Sequence, residues 1–423
     1  MKPLESLDRY FTRSGSFPQL RTHGIRELKF TGLYMDFVAL RARVTGIFGV
    51  KNFSEIPAIT KTPEALARVK TTYDERFSLQ FPDFADESIE ARANRYKKYS
   101  ETADSIIDNL SKDFLGQDVV AVDLTNELRD IHHPVDLMTI IFNKDEYRTT
   151  RFEAYRKLVL MEYAQDIDYA ASQYKGSIDE INYFLDQNLL SKDQKRGAPE
   201  RVFIVSHLNP ETYECANYTT FNTRQEARVY QQQYPGTKLD VLPVRRLTEG
   251  NRKIFLHTRK KLDISQVVKL LRKRSHEPTE AVQDVFGVFA VVETYRDVKK
   301  IVEQFIRAAQ TSGSEIEVTD IEDSIQDGKY SAENGGSSKD FKVCKLQVKF
   351  HGLKVEVIIH TIKTYLDSLY QRGVSRDEFE AKRVFETGVI ERLFPPEIYD
   401  LDDIQTLYQQ AIARARAKIE KDN

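Results

Sequence analysis

The chain is poor in residues that mark several common classes of protein. It has two cysteines, Cys215 and Cys344, and no tryptophan among 423 residues. Cysteines this far apart offer neither metal-ligand spacing nor a disulfide framework, which favours a reducing compartment. No stretch approaches the roughly 18 apolar residues that span a bilayer, and the start, MKPLESLDRYF, lacks the apolar core of a signal peptide. We therefore expect a cytoplasmic protein with no membrane partner.

Several catalytic motifs are absent as well. No Gly-x-x-x-x-Gly-Lys-Ser/Thr loop is present, which argues against a P-loop enzyme. His132 and His133 precede Pro134, with Asp136 nearby, and we expect a role at a helix end or in a loop rather than in a metal site. Cys344 has no evident histidine partner, so we expect a strand residue and not a nucleophile.

The chain as a whole has no large excess of one charge, but one segment of it does. There are 63 basic and 65 acidic residues and the net charge is -2, so the chain is no general nucleic-acid binder. From Asn251 to His276, however, nine Lys or Arg residues stand against one Asp. Such a cluster attracts phosphate, although a solvated helix face is the alternative.

The N-terminal half is predicted to be mostly helical. At 40% hydrophobic and 30% charged residues, the chain suits a soluble globular protein of two or three domains. Residues 1–195 contain helical patterns from Pro63, which follows a Thr62 cap, over about 87–114 and over about 144–174. A polar stretch at 190–200 is predicted to be a linker.

The rest of the chain alternates strands with helices. Residues 200–248 form a predicted β-β-α-β module, which is either separate or an extension of the domain C-terminal to it. It lacks the Gly-aromatic pattern of an RNA-recognition motif. From 250 to 423, strands, helices, a Gly- and Ser-rich loop at 323–340 and three final helices predict an α+β fold, a mixed sheet with helical cover.

Within this region, one basic segment is suited to phosphate. Arg259 and Lys261 precede Ser265, which we predict to cap a basic helix. A helix start and cationic side chains both favour phosphate. The predicted phosphate-binding residues are Arg259, Lys261, Ser265, Lys269, Arg272 and Lys273.

Two carboxylates lie beside strand-forming runs further along. Asp284 precedes the strand 285–293, and Glu356 lies inside LKVEVIIHT, 353–361. If both strands are central, the two side chains converge at one end of the sheet, where they can hold Mg²⁺ and align an attacking hydroxyl. Glu356 shares a strand face with Lys354 and His360, and a solvated face is again the alternative.

Together, these segments resemble the synthetase domain of the RelA/SpoT family, whose enzymes transfer pyrophosphate from ATP to the 3′-hydroxyl of GDP or GTP. That family carries Arg-x-Lys-x-x-x-Ser, then Asp-x-x-Gly-x-Arg, then Glu-x-Gln-x-Arg-Thr. The matching residues, in order, are Arg259, Lys261 and Ser265, then Asp284 and Gly287, then Glu356 and Thr361. The resemblance covers about 250–370 and implies a nucleotidyltransferase-like fold and synthesis of the alarmone (p)ppGpp.

The resemblance also implies roles for single residues. Arg259 and Lys261 would bind the ATP phosphates, Asp284 and Glu356 would be the catalytic and Mg²⁺-binding carboxylates, and Glu356 would orient or deprotonate the acceptor hydroxyl. The predicted acceptor-binding residues are Phe341, Lys345 and His360. Phe341 lies where the family stacks guanine on a tyrosine, and a phenylalanine ring can still stack a base.

Five positions depart from the family pattern and leave two alternatives open. The departures are Phe289 and His360 for arginines, Ile358 for Gln, Asp340 for Gly and Lys345 for His. They are consistent with a different acceptor, an adenosine nucleotide or a tRNA 3′ end. They are equally consistent with a catalytically degenerate protein that binds nucleotide or RNA.

The resemblance does not extend to the N-terminal half. Long alarmone enzymes carry a hydrolase domain with a His-Asp dipeptide, and this chain has no such dipeptide. We therefore do not expect that hydrolase in residues 1–195. An RNA or protein partner for this half stays open.

Overall fold

A computed structural model describes residues 40, 43–116, 126–143, 145–172, 181–183, 185, 196–249, 252–260, 263–273, 286–311, 316–327, 338, 340–350, 353–395, 399, 401 and 403–421. Among their helices, none combines the length with the hydropathy that a bilayer-spanning segment requires.

The longer described helices are α1 (Pro63–Gln80), α2 (Ile89–Leu110), α3 (Pro134–Phe142), α4 (Arg148–Ser172), α5 (Arg224–Gln233), α6 (Asp263–Lys273), α7 (Tyr295–Thr311), α8 (Ile362–Tyr370), α9 (Arg376–Glu386) and α10 (Ile404–Lys421). Shorter helical segments are Phe53–Glu55, Ile56–Thr60, Pro82–Phe84, Ser111–Leu115, Asn126–Arg129, Ser324–Asp327 and Val389–Leu393. The strands are β1 (Arg196–Leu208), β2 (Cys215–Phe221), β3 (Lys238–Glu249), β4 (Arg252–Lys260), β5 (Phe286–Val292), β6 (Ile316–Asp323), β7 (Cys344–Phe350) and β8 (Leu353–Thr361).

The chain divides into two compact units, each built from separate stretches of sequence. Unit 1 comprises Met1–Gln173, Asp263–Glu280 and Thr387–Leu407, and unit 2 comprises Tyr174–Leu262, Ala281–Glu386 and Tyr408–Asn423. This division differs from the predicted domains 1–195, 200–248 and 250–423. The reason is that packing joins segments that are distant in sequence, which a boundary drawn at a polar linker cannot capture.

Regular structure in the described part of unit 1 is helical. α1 begins at Pro63 directly after Thr62, as predicted, but the Thr62 hydroxyl donates to the Ile59 carbonyl at 3.3 Å and does not cap the helix. α2 begins after Ser88, whose hydroxyl oxygen accepts a hydrogen bond of 3.1 Å from the Ala91 amide. The Ser88 cap satisfies an amide that has no partner within the helix, and so it helps to fix where α2 starts.

Helices α2 and α4 share a buried charged pair. The Lys157 ammonium on α4 donates to Asp104 Oδ2 on α2 at 2.9 Å and to the Leu128 carbonyl at 2.6 Å. The Lys157 side chain has no exposure to solvent. A buried ammonium is tolerated only when its charge and its N–H groups have partners, and both are provided here.

Unit 2 is built on a mixed sheet of eight strands in the order β2-β1-β3-β4-β5-β8-β7-β6. Neighbours run antiparallel except β5 and β8, which are parallel. The described structure is thus α+β, as expected. β5 and β8 are both central, because each has paired strands on either side.

Apolar residues cover both faces of this sheet. On one face, Val288, Val357 and Ile359 pack with Ile301 and Phe305 of α7. On the other face, Phe255 and Val291 pack with residues of α8, namely Ile362 and Leu366. Alternate residues of a strand point to opposite faces, so the pattern along β5 and β8 assigns each side chain to one of these two layers.

Two local predictions need correction, and one alternative gains support. β1 begins at Arg196, inside the predicted linker. β3 pairs with β4, which supports the alternative that residues 200–248 extend the domain C-terminal to them. β4 itself was not predicted, because its many charges hide the apolar pair Phe255 and Leu256. Within the predicted loop 323–340, β6 extends to Asp323 and a short helix spans Ser324–Asp327.

Candidate active site

One face of β7 and β8 carries the polar residues of the candidate site. Along β7, buried residues alternate with partly exposed ones, and Val355 and Val357 of β8 are buried in the layer against α7. Glu356 therefore lies on the face opposite α7. This is the face that the sequence predicts for it.

Register across the central strands places three motif residues in one row. Arg259 of β4 is paired with Gly287 of β5, and Gly287 is paired with Glu356 of β8. Gln347 of β7 continues the row beside Glu356. Because neighbouring strands lie about 4.8 Å apart, the Cα atoms of Arg259 and Glu356 are separated by about 10 Å.

Glu356 is held by a lysine of the next strand. Its Oε1 lies 2.9 Å from the Lys345 ammonium, and the two side chains are only 14% and 19% exposed. Lys345 is opposite Ile358 in the register, so it reaches Glu356 along a diagonal. The predicted acceptor-binding lysine is thus in direct contact with the predicted catalytic carboxylate.

His360 is buried among aromatic rings. Its ring centroid lies 5.5 Å from Phe289, 5.8 Å from Phe341 and 6.4 Å from Tyr365. Burial lowers the pKa of His360 to about 3, so its imidazole is neutral at physiological pH. His360 therefore cannot offer a positive charge to an acceptor phosphate, whereas half-buried Phe341 keeps an aromatic surface beside it.

Tyr365 is the member of this cluster that sequence reasoning missed. It belongs to α8, which begins directly after β8 because Thr361 caps it by accepting from the Thr364 amide at 3.2 Å. The short step from strand to helix brings Tyr365 to within 5.7 Å of Phe289. A Thr-x-x-Thr sequence after a strand was the available signal for this cap.

The predicted phosphate-binding residues are divided between the two units. Arg259 lies in β4 of unit 2, whereas Ser265, Lys269, Arg272 and Lys273 lie on α6 of unit 1. Ser265 does not cap α6, because this helix already begins at Asp263. Lys261 lies outside the described residues. A phosphate-binding role for the α6 cations stays a prediction about unit 1.

The Mg²⁺ prediction rests on Asp284 and Glu356. Asp284 lies outside the described residues, and its convergence with Glu356 stays a prediction. Among the described residues, no group of three His, Cys, Asp or Glu side chains is placed to hold a metal ion. Glu356, engaged by Lys345, does not form a Mg²⁺ site by itself.

Two residues considered at the sequence level have the predicted structural roles. His133 caps α3, its Nδ1 accepting from the Val135 amide at 3.1 Å, and burial lowers its pKa to about 3. Cys344 is a buried residue of β7, and burial raises the pKa of its thiol to about 12. A thiol with so high a pKa is a poor nucleophile at neutral pH.

Unit 1 contains a cavity of its own, of about 310 Å³. Aromatic rings of α1 and α4, including Tyr73, Phe77 and Tyr155, line it together with an ion pair of 2.6 Å between Arg43 and Glu162. The described residues of this lining include none of the predicted site residues.

Comparison with known proteins found similarity to solved structures only. The small alarmone synthetase 1 from Bacillus subtilis, in one structure bound to its product pppGpp, is 18% identical over 40% of this chain. The matches cover 76% and 75% of those chains, each with a TM-score of 0.19. A TM-score this low carries no argument about fold or activity. No model of a protein family and no curated protein matches the chain.

Proposed function

We propose that unit 2 is a nucleotidyltransferase-like enzyme that transfers pyrophosphate from ATP to the 3′-hydroxyl of a guanosine nucleotide. The observation that carries the proposal is the row formed by Arg259, Gly287 and Glu356. These residues come from three motifs separated along the chain, and the register of three strands brings them side by side. If these residues belonged only to a solvated strand face, nothing would require residues of three separate motifs to be paired in one row.

In this proposal, Arg259 and Lys261 bind the phosphates of ATP. An arginine can grip a phosphate edge through two N–H groups, and a lysine adds a point charge. Glu356 receives the proton of the acceptor hydroxyl. The hydroxyl oxygen then bonds to the β-phosphorus of ATP, the bond from that phosphorus to the α-phosphate oxygen breaks, and AMP leaves. The resemblance also implies Mg²⁺ bound through Asp284, where the ion would neutralise phosphate charge.

The test is a transfer assay with ATP labelled in its γ-phosphate. Parallel reactions contain Mg²⁺ and GDP, GTP, ADP or bulk tRNA, and products are separated by thin-layer chromatography. We expect a labelled product with GDP or GTP. Glu356→Gln should lower its rate by about 10²–10⁴, the range for loss of a general base.

A matched control lies on the same sheet. Glu317 of β6 pairs with Lys349 of β7 at 2.9 Å, and its side chain is 62% exposed. Glu317→Gln removes an equivalent carboxylate from a cross-strand pair and should leave the rate unchanged. A wild-type rate in Glu356→Gln, or an equal loss in both variants, would contradict the proposed role.

A second candidate function is nucleotide binding without turnover. Its specific support is that Lys345 neutralises Glu356 and that His360, at a motif position occupied by arginine in the family, is buried and neutral. Under this alternative, isothermal titration detects ATP or GTP binding while no acceptor gives a labelled product. If a labelled product forms only with ADP or tRNA, the protein is an enzyme whose acceptor is not a guanosine nucleotide.

A further inference from the structure

The ion pair between Lys345 and Glu356 is more shielded than a comparable pair beside it. Lys349, four residues along the same strand, pairs with Glu317 at the same distance of 2.9 Å, yet those side chains are 42% and 62% exposed. The side chains of Lys345 and Glu356 are 19% and 14% exposed. Charges act more strongly on one another, and on any incoming charge, where water is partly excluded.

The two partners of this pair have opposite effects on an arriving anion. A lysine ammonium has three donors and attracts phosphate, while a carboxylate a few ångströms away repels it. With both present, each cancels much of the other's effect. An anion can gain the full attraction of Lys345 only if the ammonium turns from Glu356 toward the ligand.

We propose that Lys345 is an exchangeable counterion: it neutralises Glu356 in the ligand-free protein and transfers to a phosphate group of the bound nucleotide. The exchange leaves Glu356 with no ammonium at its Oε1, in a state able to accept a proton. Lys345 is thus a positioning residue that couples phosphate binding to the readiness of Glu356. The placement of nucleotide on this face rests on the proposed function.

The experiment measures binding rather than turnover, with the full chain and no added divalent metal. GTP, inorganic pyrophosphate and guanosine are titrated by calorimetry into wild type, Lys345→Met, Lys345→Arg and Glu356→Gln. Lys349→Met and Glu317→Gln serve as controls on the exposed pair. Thermal denaturation of each variant reports whether it is folded.

We expect the two members of the pair to act with opposite sign. Lys345→Met should weaken the binding of GTP and pyrophosphate by about tenfold or more, because it removes the cation and retains the nearby negative charge of Glu356. Glu356→Gln should tighten both, because it removes the repulsion by Glu356 and the attraction that holds the ammonium beside it. Lys345→Arg should retain binding, the controls should match wild type, and guanosine, which has no phosphate, should respond to none of the changes.

Several outcomes would overturn the proposal. The first is that wild type binds neither GTP nor pyrophosphate. The second is that Lys345→Met and Glu356→Gln change the affinity for these ligands in the same direction. The third is that the variants change the affinity for guanosine as much as that for GTP. If Lys345→Met does not fold, Glu356→Gln decides, since unchanged or weaker pyrophosphate binding contradicts the exchange. If the transfer assay gives no product but Glu356→Gln binds pyrophosphate more tightly than wild type, the proposed enzymatic activity is rejected. The proposed counterion role of Lys345 is then still supported.

Discussion

His360 lies among the rings of Phe289, Phe341 and Tyr365, where its imidazole is shielded from water. Its pKa falls from 6.5 to about 3, so the folded protein does not bind a proton there until strongly acidic pH. The unfolded chain binds that proton below about pH 6.5. Stability contributed at this position is therefore present above pH 6.5 and is lost as the pH falls toward 3.

This difference in pKa gives a prediction for His360→Phe. Between pH 7 and pH 5, protonation of His360 in the unfolded state should lower the free energy of unfolding by about 2 kcal/mol. His360→Phe should lack that part of the pH dependence. Urea denaturation followed by circular dichroism at both pH values measures it, and His133, present in both proteins, cancels in the comparison. An identical pH dependence in the two proteins would contradict the buried neutral imidazole.

At the same scale, Glu356 shows why a motif residue has to be judged with its neighbours. The motif alone suggests a carboxylate ready to act. The contact with Lys345, which comes from a different strand, shows instead a carboxylate that is already paired with a cation. The opposite signs expected for the two binding variants depend on that contact and not on the motif.

Among the helical elements, α2 and α4 are joined by Lys157 and Asp104. Removing one member of a buried pair leaves the other charge without compensation, which typically costs about 3–5 kcal/mol. We expect Lys157→Met to lower the free energy of unfolding by that amount. Chemical denaturation measures it.

The double variant Lys157→Met with Asp104→Leu is the informative control for this pair. It removes both charges together, so we expect it to recover most of the lost stability, because no unpaired carboxylate is left buried. A double variant that is less stable than Lys157→Met would mean that the pair itself, rather than the unpaired charge, supplies the stability.

The whole chain is organised so that unit 1 is completed by distant segments. Arg156 of α4 donates to the Leu393 carbonyl at 3.0 Å, and its guanidinium lies 4.8 Å from the centre of the Phe394 ring. The α6 helix packs on α2 and α4, and its Leu270 and Leu271 are buried. Residues 1–195 alone lack both of these contributions.

We therefore expect a fragment of residues 1–195 to lose cooperative unfolding. Thermal denaturation by circular dichroism should show a broad, non-sigmoidal transition. The faces of α2 and α4 that pack against α6 in the full chain would be exposed to water in this fragment. A polypeptide in which Gly-Ser linkers join 1–173, 263–280 and 387–407 should regain a sigmoidal transition. A sharp transition of the 1–195 fragment by itself would contradict this division of the chain.

Local signals in the sequence were sufficient for many elements. Pro63 marks the start of α1, and the bounds of β8 coincide with the predicted 353–361. The sequence did not predict β4, because charged residues surround its short apolar centre. The start of α6 was misplaced because Ser265 is a good cap residue, yet the helix begins at Asp263.

The sequence by itself determined which residues alternate along a strand, where most helices begin and which side chains have the chemistry for phosphate. Those properties depend on near neighbours in the chain. Only the tertiary structure decided that Arg259, Gly287 and Glu356 form one row, that Lys345 engages Glu356, and that α6 belongs to unit 1. These features depend on strand register and packing between segments far apart in sequence, which no local pattern encodes.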